Sequence, residues 1–129
     1  MEYKRDEHRV HLIVYHLIWC PKRRRPVLKE AIAANFESIT REVCDTPGWE
    51  ILELAVQPDH VHLFVRVWPK DSATDVVGNI KGRTSHDLRQ KYPQLLKLPG
   101  LWSSSFFSST AGSVSAETIK KYIEAQKGV

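Results

Sequence analysis

At 129 residues, with 42% hydrophobic and 26% charged side chains, the chain can bury one core and is too short for two domains. This composition excludes a disordered or fibrous chain, and the net charge of +4 favours an anionic partner. Cys20 and Cys44 fit no metal-ligand spacing and read as reduced thiols buried in apolar elements. Met1 to Arg9 is charged, with no apolar leader, and no run reaches transmembrane length. The expectation is a cytoplasmic protein without a membrane partner.

From His8 to Cys20 the chain is rich in Val, Ile, Leu, Tyr and Trp, which predicts a long strand covered on both faces and central in its sheet. Pro21 ends it. Lys22, Arg23, Arg24 and Arg25 follow, as either a solvated loop or a phosphate-contacting patch. Leu28, Ile32, Phe36, Ile39 and Val43 recur every three or four residues and predict a helix from about Val27 to Val43. Trp49 to Val56 reads as a second strand. After the turn at Pro58-Asp59, a third runs from His60 to Trp68 and pairs with it as a hairpin.

Ser72, with Asp75 three residues on, resembles a capping box and opens a helix to about Lys91, whose buried stripe is Val76, Ile80, Thr84 and Leu88. Lys81, Arg83, His86, Arg89 and Lys91 crowd its remaining surface. Gly78 and Gly82 either permit close approach to the sheet or to a ligand backbone, or are ordinary tolerated glycines. Leu101 to Phe107 predicts a fourth strand with exposed serines. A small-residue hinge follows, and then a last helix with Ser115 as N-cap, Val114 and Ile119 as its hydrophobic staple, and Glu117 near its positive end. The order is that of a ferredoxin-like α+β sandwich, an antiparallel sheet with helices on one face plus a C-terminal helix. The whole chain, 1–129, is expected to be one domain: a body over 1–107, a hinge over 108–114 and a terminal helix over 115–127.

The stretch Gln57-Pro58-Asp59-His60-Val61-His62-Leu63-Phe64 carries the chemistry. In a strand, His60 and His62 share one face, roughly 6.5–7 Å apart at the backbone, while Val61, Leu63, Val65 and Val67 face the core. Both rings can lean toward one ion. Asp59 either orients a ligand histidine or serves the turn beside Pro58. On the last helix Ile119 and Ile123 form the contact stripe, and Tyr122 and Gln126 align beside it at i and i+4. A phenol with a pKa of about 10 is a poor nucleophile. A catalytic tyrosine therefore calls for a metal and a held electrophile, which the histidines and the basic surface could supply.

The segment from Tyr15 to Leu28, Gln57 to Phe64, Lys81-Gly82-Arg83-Thr84-Ser85, Leu101-Trp102 and Tyr122 to Gln126 together resemble the small single-tyrosine HUH transposases of single-strand insertion sequences. The resemblance covers nearly the whole chain and departs at Ser105-Phe106-Phe107. It implies a homodimeric DNA strand transferase acting on single-stranded transposon ends folded into hairpins. His60, His62 and Gln126 would hold the metal. Tyr122 would form a 5′-phosphotyrosine link, with its helix completing the partner subunit's site. Ligand softness alone would favour zinc, nickel or cobalt, whereas the resemblance implies Mg2+ or Mn2+. Lys22, Arg23, Arg24, Arg25, Lys81 and Arg83 are the expected DNA contacts. Two other readings are a domesticated relative that processes palindromic repeats of its host, and a non-catalytic single-strand binding module that stacks bases on Trp68, Phe106 and Phe107.

Overall fold

The computed structural model describes residues 12–110 and 116–126, and in the last stretch the side chains from Lys121 onward. Strands β1 (Ile13–Trp19), β2 (Glu50–Gln57), β3 (His60–Val67) and β4 (Phe107–Ser109) form one antiparallel sheet in the order β2-β3-β1-β4. Helices α1 (Glu30–Asp45) and α2 (Ala73–Lys91) pack on it, and α3 spans Ala116–Ala125. This is the expected ferredoxin-like arrangement with β1 inside the sheet.

β3 shows why the histidines share a face. Its residues alternate between half-buried and fully buried, and Val61, Leu63, Val65 and Val67 are all 0% exposed. Each is worth about 1.5–3 kcal/mol buried. Slipping the strand by one residue would expose all four and bury both imidazoles, so the core fixes the register of the site. β1 contributes Leu17 and Trp19 to the same core, and α2 contributes Val76, Val77, Ile80, Thr84 and Leu88. The capping box forms as expected: Asp75 N–H donates to Ser72 Oγ at 3.0 Å, and Ser72 N–H donates to Asp75 Oδ2 at 3.4 Å.

Four expectations need correction. α1 begins at Glu30 rather than Val27, because Pro26 keeps Arg25 extended and the Leu28 amide donates to the Pro58 carbonyl at 3.0 Å. The fourth strand is Phe107–Ser109 rather than Leu101–Phe107. Trp102 turns into the core instead, edge-on to Phe36 and Trp19 at 5.4 and 6.2 Å, with its indole N–H donating to Thr84 Oγ1 at 3.1 Å. Ser103, expected exposed, is buried. β4 takes in Ser108 and Ser109 of the expected hinge, and residues 111–115, with the N-cap and staple, lie outside the described residues, as does the Ile119 side chain. Of the readings open for Gly78 and Gly82, close approach to the sheet falls away, because a Cβ at either would meet nothing within 4 Å.

The segment 101–109 still runs beside β1. The Lys22 amide donates to Leu101 O at 2.8 Å and the Ser103 amide to Cys20 O at 3.0 Å, while β4 pairs Phe107 with Ile18. Between these pairings residues 104–106 leave the ladder. Lys81 Nζ reaches from α2 and donates to the carbonyls of Ser103 and Ser105 at 2.8 and 2.9 Å, satisfying groups that the interrupted ladder leaves open.

Candidate active site

His60 and His62 project from the sheet face opposite the core, with ring centroids 5.0 Å apart at 68°. Asp59 Oδ1 lies 2.8 Å from His60 Nδ1, and His16 Nε2 lies 3.4 Å from His62 Nδ1. Among the described residues no hydrogen bond reaches either Nε2. A carboxylate only accepts, so in a neutral His60 ring the proton sits on Nδ1 and Nε2 keeps a lone pair. Burial pushes the His62 pKa down to about 4, helped by the neighbouring His60 and His16. The ring is neutral at pH 7, the form that ligates metal. Burial also lowers His16, against an opposing pull from Glu53.

Asp59 has a second partner. Its Oδ2 pairs with Arg24 Nε at 2.9 Å, and Arg24 Nη1 donates to the Ile123 carbonyl of α3 at 3.3 Å. One guanidinium thus joins the histidine strand to the last helix. The loop that presents it is strained: Arg23 and Arg24 both have left-handed φ, 58° and 54°, at a cost of roughly 1–2 kcal/mol per residue. Such strain clusters at functional sites.

Tyr122 and Gln126 have their own partners on the segment 103–107. Tyr122 Oη lies 3.2 Å from Ser105 Oγ, and its ring centroid is 5.9 Å from that of Phe107. Burial raises the phenol pKa, while the Ser105 hydrogen bond lowers it in part. Gln126 is 6% exposed, and its Oε1 accepts from the hydroxyls of Ser103 and Ser105 at 3.2 and 3.0 Å. Among the described residues no hydrogen bond or ring contact joins Tyr122 or Gln126 to His60 or His62.

The expected DNA contacts separate into two groups. Lys22 is half-buried, and Arg23 and Arg25 are exposed beside the site. Arg24, Lys81 and Arg83 are committed elsewhere: Arg24 to Asp59 and Ile123, Lys81 to the two carbonyls, and Arg83 to Glu42 and Asp87 at 2.9 and 2.8 Å. Burial lowers Lys81 to about 8. The three proposed stacking aromatics are engaged as well. Trp68 donates to Pro47 O at 3.0 Å, Phe106 packs on the core and Phe107 faces Tyr122. Cys20 and Cys44 are free and buried, and burial pushes their thiols up to about 11 and about 12.

The donor chemistry fits a metal in part. Two imidazoles present Nε2 atoms without a hydrogen bond among the described residues on one face, and no three His, Cys, Asp or Glu side chains among the described residues gather as a ligand set. A third protein ligand would have to be of another type, such as the Gln126 amide. Sequence reading missed His16, Ser103 and Ser105. His16 carried one faint signal, a polar ring inside an apolar strand. The serines carried none, because their role depends on the break between Trp102 and β4.

A ferredoxin-like sheet bearing a braced histidine pair, with basic side chains beside it, has the build of a DNA-processing enzyme. Residues 9–126 match the family model described as "Transposase IS200 like", and the chain belongs to that family. It is 36% identical to the ISDra2 transposase TnpA of Deinococcus radiodurans, over 98% of this chain and 92% of that one. It is 29% identical to the transposase for insertion sequence element IS200 of Salmonella typhimurium, over 87% of this chain and 75% of that one. A crystal structure of a putative transposase from D. radiodurans superposes with a TM-score of 0.88 at 31% identity, covering 98% of this chain and all of the other. A REP-associated tyrosine transposase bound to a REP hairpin shares the fold, with a TM-score of 0.62 at 15% identity over 96% of this chain and 69% of that one. Among the described residues no helix is long and apolar enough to cross a membrane.

Proposed function

We propose that this transposase cleaves and rejoins single-stranded DNA through a 5′-phosphotyrosine on Tyr122, with Mg2+ or Mn2+ held by His60, His62 and Gln126. The observation that carries the reading is the histidine pair, whose Nδ1 atoms are both tied back while both Nε2 atoms are left to converge on an ion. When bound, the ion supplies Lewis-acid polarisation of the scissile phosphate. Lys22, Arg23 and Arg25 attract the strand through its phosphates.

In the reaction the Tyr122 oxygen bonds to phosphorus and gives its proton to solvent. The bond from phosphorus to the 3′ oxygen breaks, and that oxygen takes up a proton to leave as a hydroxyl. A second 3′-hydroxyl then attacks the phosphotyrosine, restoring the phenol and joining the strands without ATP. For this, Tyr122 would exchange its contact with Ser105, and Gln126 Oε1 its two serine hydroxyls, for the phosphate and the ion. In a homodimer, α3 would be supplied to the partner subunit's site. Ends folded into hairpins are proposed as substrate, by analogy with the hairpin-bound relative of the same fold.

Incubating the protein with Mn2+ and single-stranded DNA from the flanks of its own gene should give a protein–DNA adduct that survives a denaturing gel. Tyr122→Phe should form none while binding the same DNA. An adduct of equal yield from this variant would remove Tyr122 from its role.

A further inference from the structure

Resting on that reading, we infer that His16 is a positioning residue of the metal centre: its Nε2 accepts the Nδ1 proton of His62 and so keeps the His62 Nε2 lone pair for the ion. The sheet register makes the pairing possible. β1 and β3 place Ile18 opposite His62 and His16 opposite Phe64, so His16 and His62 are diagonal neighbours on one face, within reach of long side chains. The His16 ring lies parallel to Phe64 at 4.0 Å and 12°, and His16 is only 7% exposed, so its plane is fixed by packing.

The two metal histidines are therefore braced by different chemistry. Asp59 can only accept, which leaves His60 one arrangement. An imidazole can accept or donate. If the shared proton sat on His16 Nε2, His62 Nδ1 would become the acceptor, and the His62 proton would occupy Nε2, where a metal must bind. One proton position between two ring nitrogens 3.4 Å apart decides whether His62 is a ligand. Partners of this kind commonly change metal affinity by about 10–100-fold when removed.

The test begins with metal-free protein near neutral pH. Nitrogen-15 NMR of the His62 ring should show a proton on Nδ1 and none on Nε2. By Mn2+ titration followed by EPR, without DNA, His16→Leu should weaken binding by about 10–100-fold. His16→Gln, which restores an accepting oxygen, should recover much of it. A wild-type His62 ring protonated at Nε2 overturns the inference, and does so even where His16→Leu fails to fold. So does a His16→Gln that binds no better than His16→Leu, since the effect would then be packing alone. His60→Ala separates the two levels of the argument. If it loses Mn2+ while His16→Leu keeps wild-type affinity, only the role of His16 falls. If His60→Ala itself binds Mn2+ like wild type, the metal centre falls and His16 with it.

Discussion

The histidine face of β3 and the serine cradle under α3 lie in one small protein but are built in opposite ways. His60 and His62 stand on a strand whose other face is the core, so any shift in their position disturbs Val61, Leu63, Val65 and Val67. Tyr122 and Gln126 stand on a helix whose described contacts lie at an interruption of the sheet: two serine hydroxyls, one arginine and the ring of Phe107. Each neutral hydrogen bond contributes only about 0.5–1.5 kcal/mol, far less than the strand's core face. One half of the site is fixed and the other is docked. Of the two, the second is the easier to move.

The sharpest challenge to this contrast is removal of the fixed half. His60→Ala or His62→Ala should lower cleavage of single-stranded DNA by orders of magnitude, and EDTA should stop the wild type. Undiminished cleavage in EDTA would mean that the histidine face has no part in the chemistry.

A smaller effect asks where the docked half goes. Mixing His62→Ala with Tyr122→Phe subunits gives dimers in which, if α3 crosses to the partner, one site carries both lesions and the other carries none. With free exchange about half the dimers are mixed, so cleavage should return to roughly a quarter of wild type for a two-fold dimer. A mixture shown to contain heterodimers but no active sites would keep α3 at work on its own chain.

The smallest effect concerns the support beneath the cradle. Lys81 falls from 10.5 to about 8 on folding because burial disfavours its charge. Between those values the unfolded chain holds more protons than the folded one, so stability rises with pH. The penalty is full below pH 8 and is relieved above it. Above about pH 9 the buried thiols of Cys20 and Cys44, raised to about 11 and about 12, act in the opposite sense. The clear window is therefore pH 8 to 9, where chemical denaturation should show wild type gaining stability relative to Lys81→Met. A constant difference across that window would place Lys81 in water.

What could be read from the sequence follows the same division. The β3 alternation, the α2 stripe and the Ser72–Asp75 capping box rest on neighbours a few residues apart, and all three formed as expected. The start of α1 was misplaced because Leu28 spends its amide on Pro58, thirty positions away in the chain. The fourth strand was misplaced because Trp102 is drawn to Phe36 and Trp19, which no local pattern announces. A run of cations looks the same whether it faces water or its own carboxylates. Only the fold reveals that Arg24 and Arg83 already have partners and that Arg23 and Arg25 are exposed. His16 was hidden for a similar reason, since its meaning lies in the register of β1 on β3.

The Arg24 guanidinium has a thermodynamic consequence of its own. Its Nε serves Asp59 and one N–H of its Nη1 serves the Ile123 carbonyl, so an anion that takes that same N–H does so in competition with α3. Two ligands that compete for one group are negatively linked, and linkage is reciprocal: the factor by which a docked helix weakens the anion is the factor by which the anion weakens the helix. The coupling needs no conformational relay, because both partners meet at a single side chain. A phosphate that took that N–H would lower the occupancy of the docked helix simply by mass action.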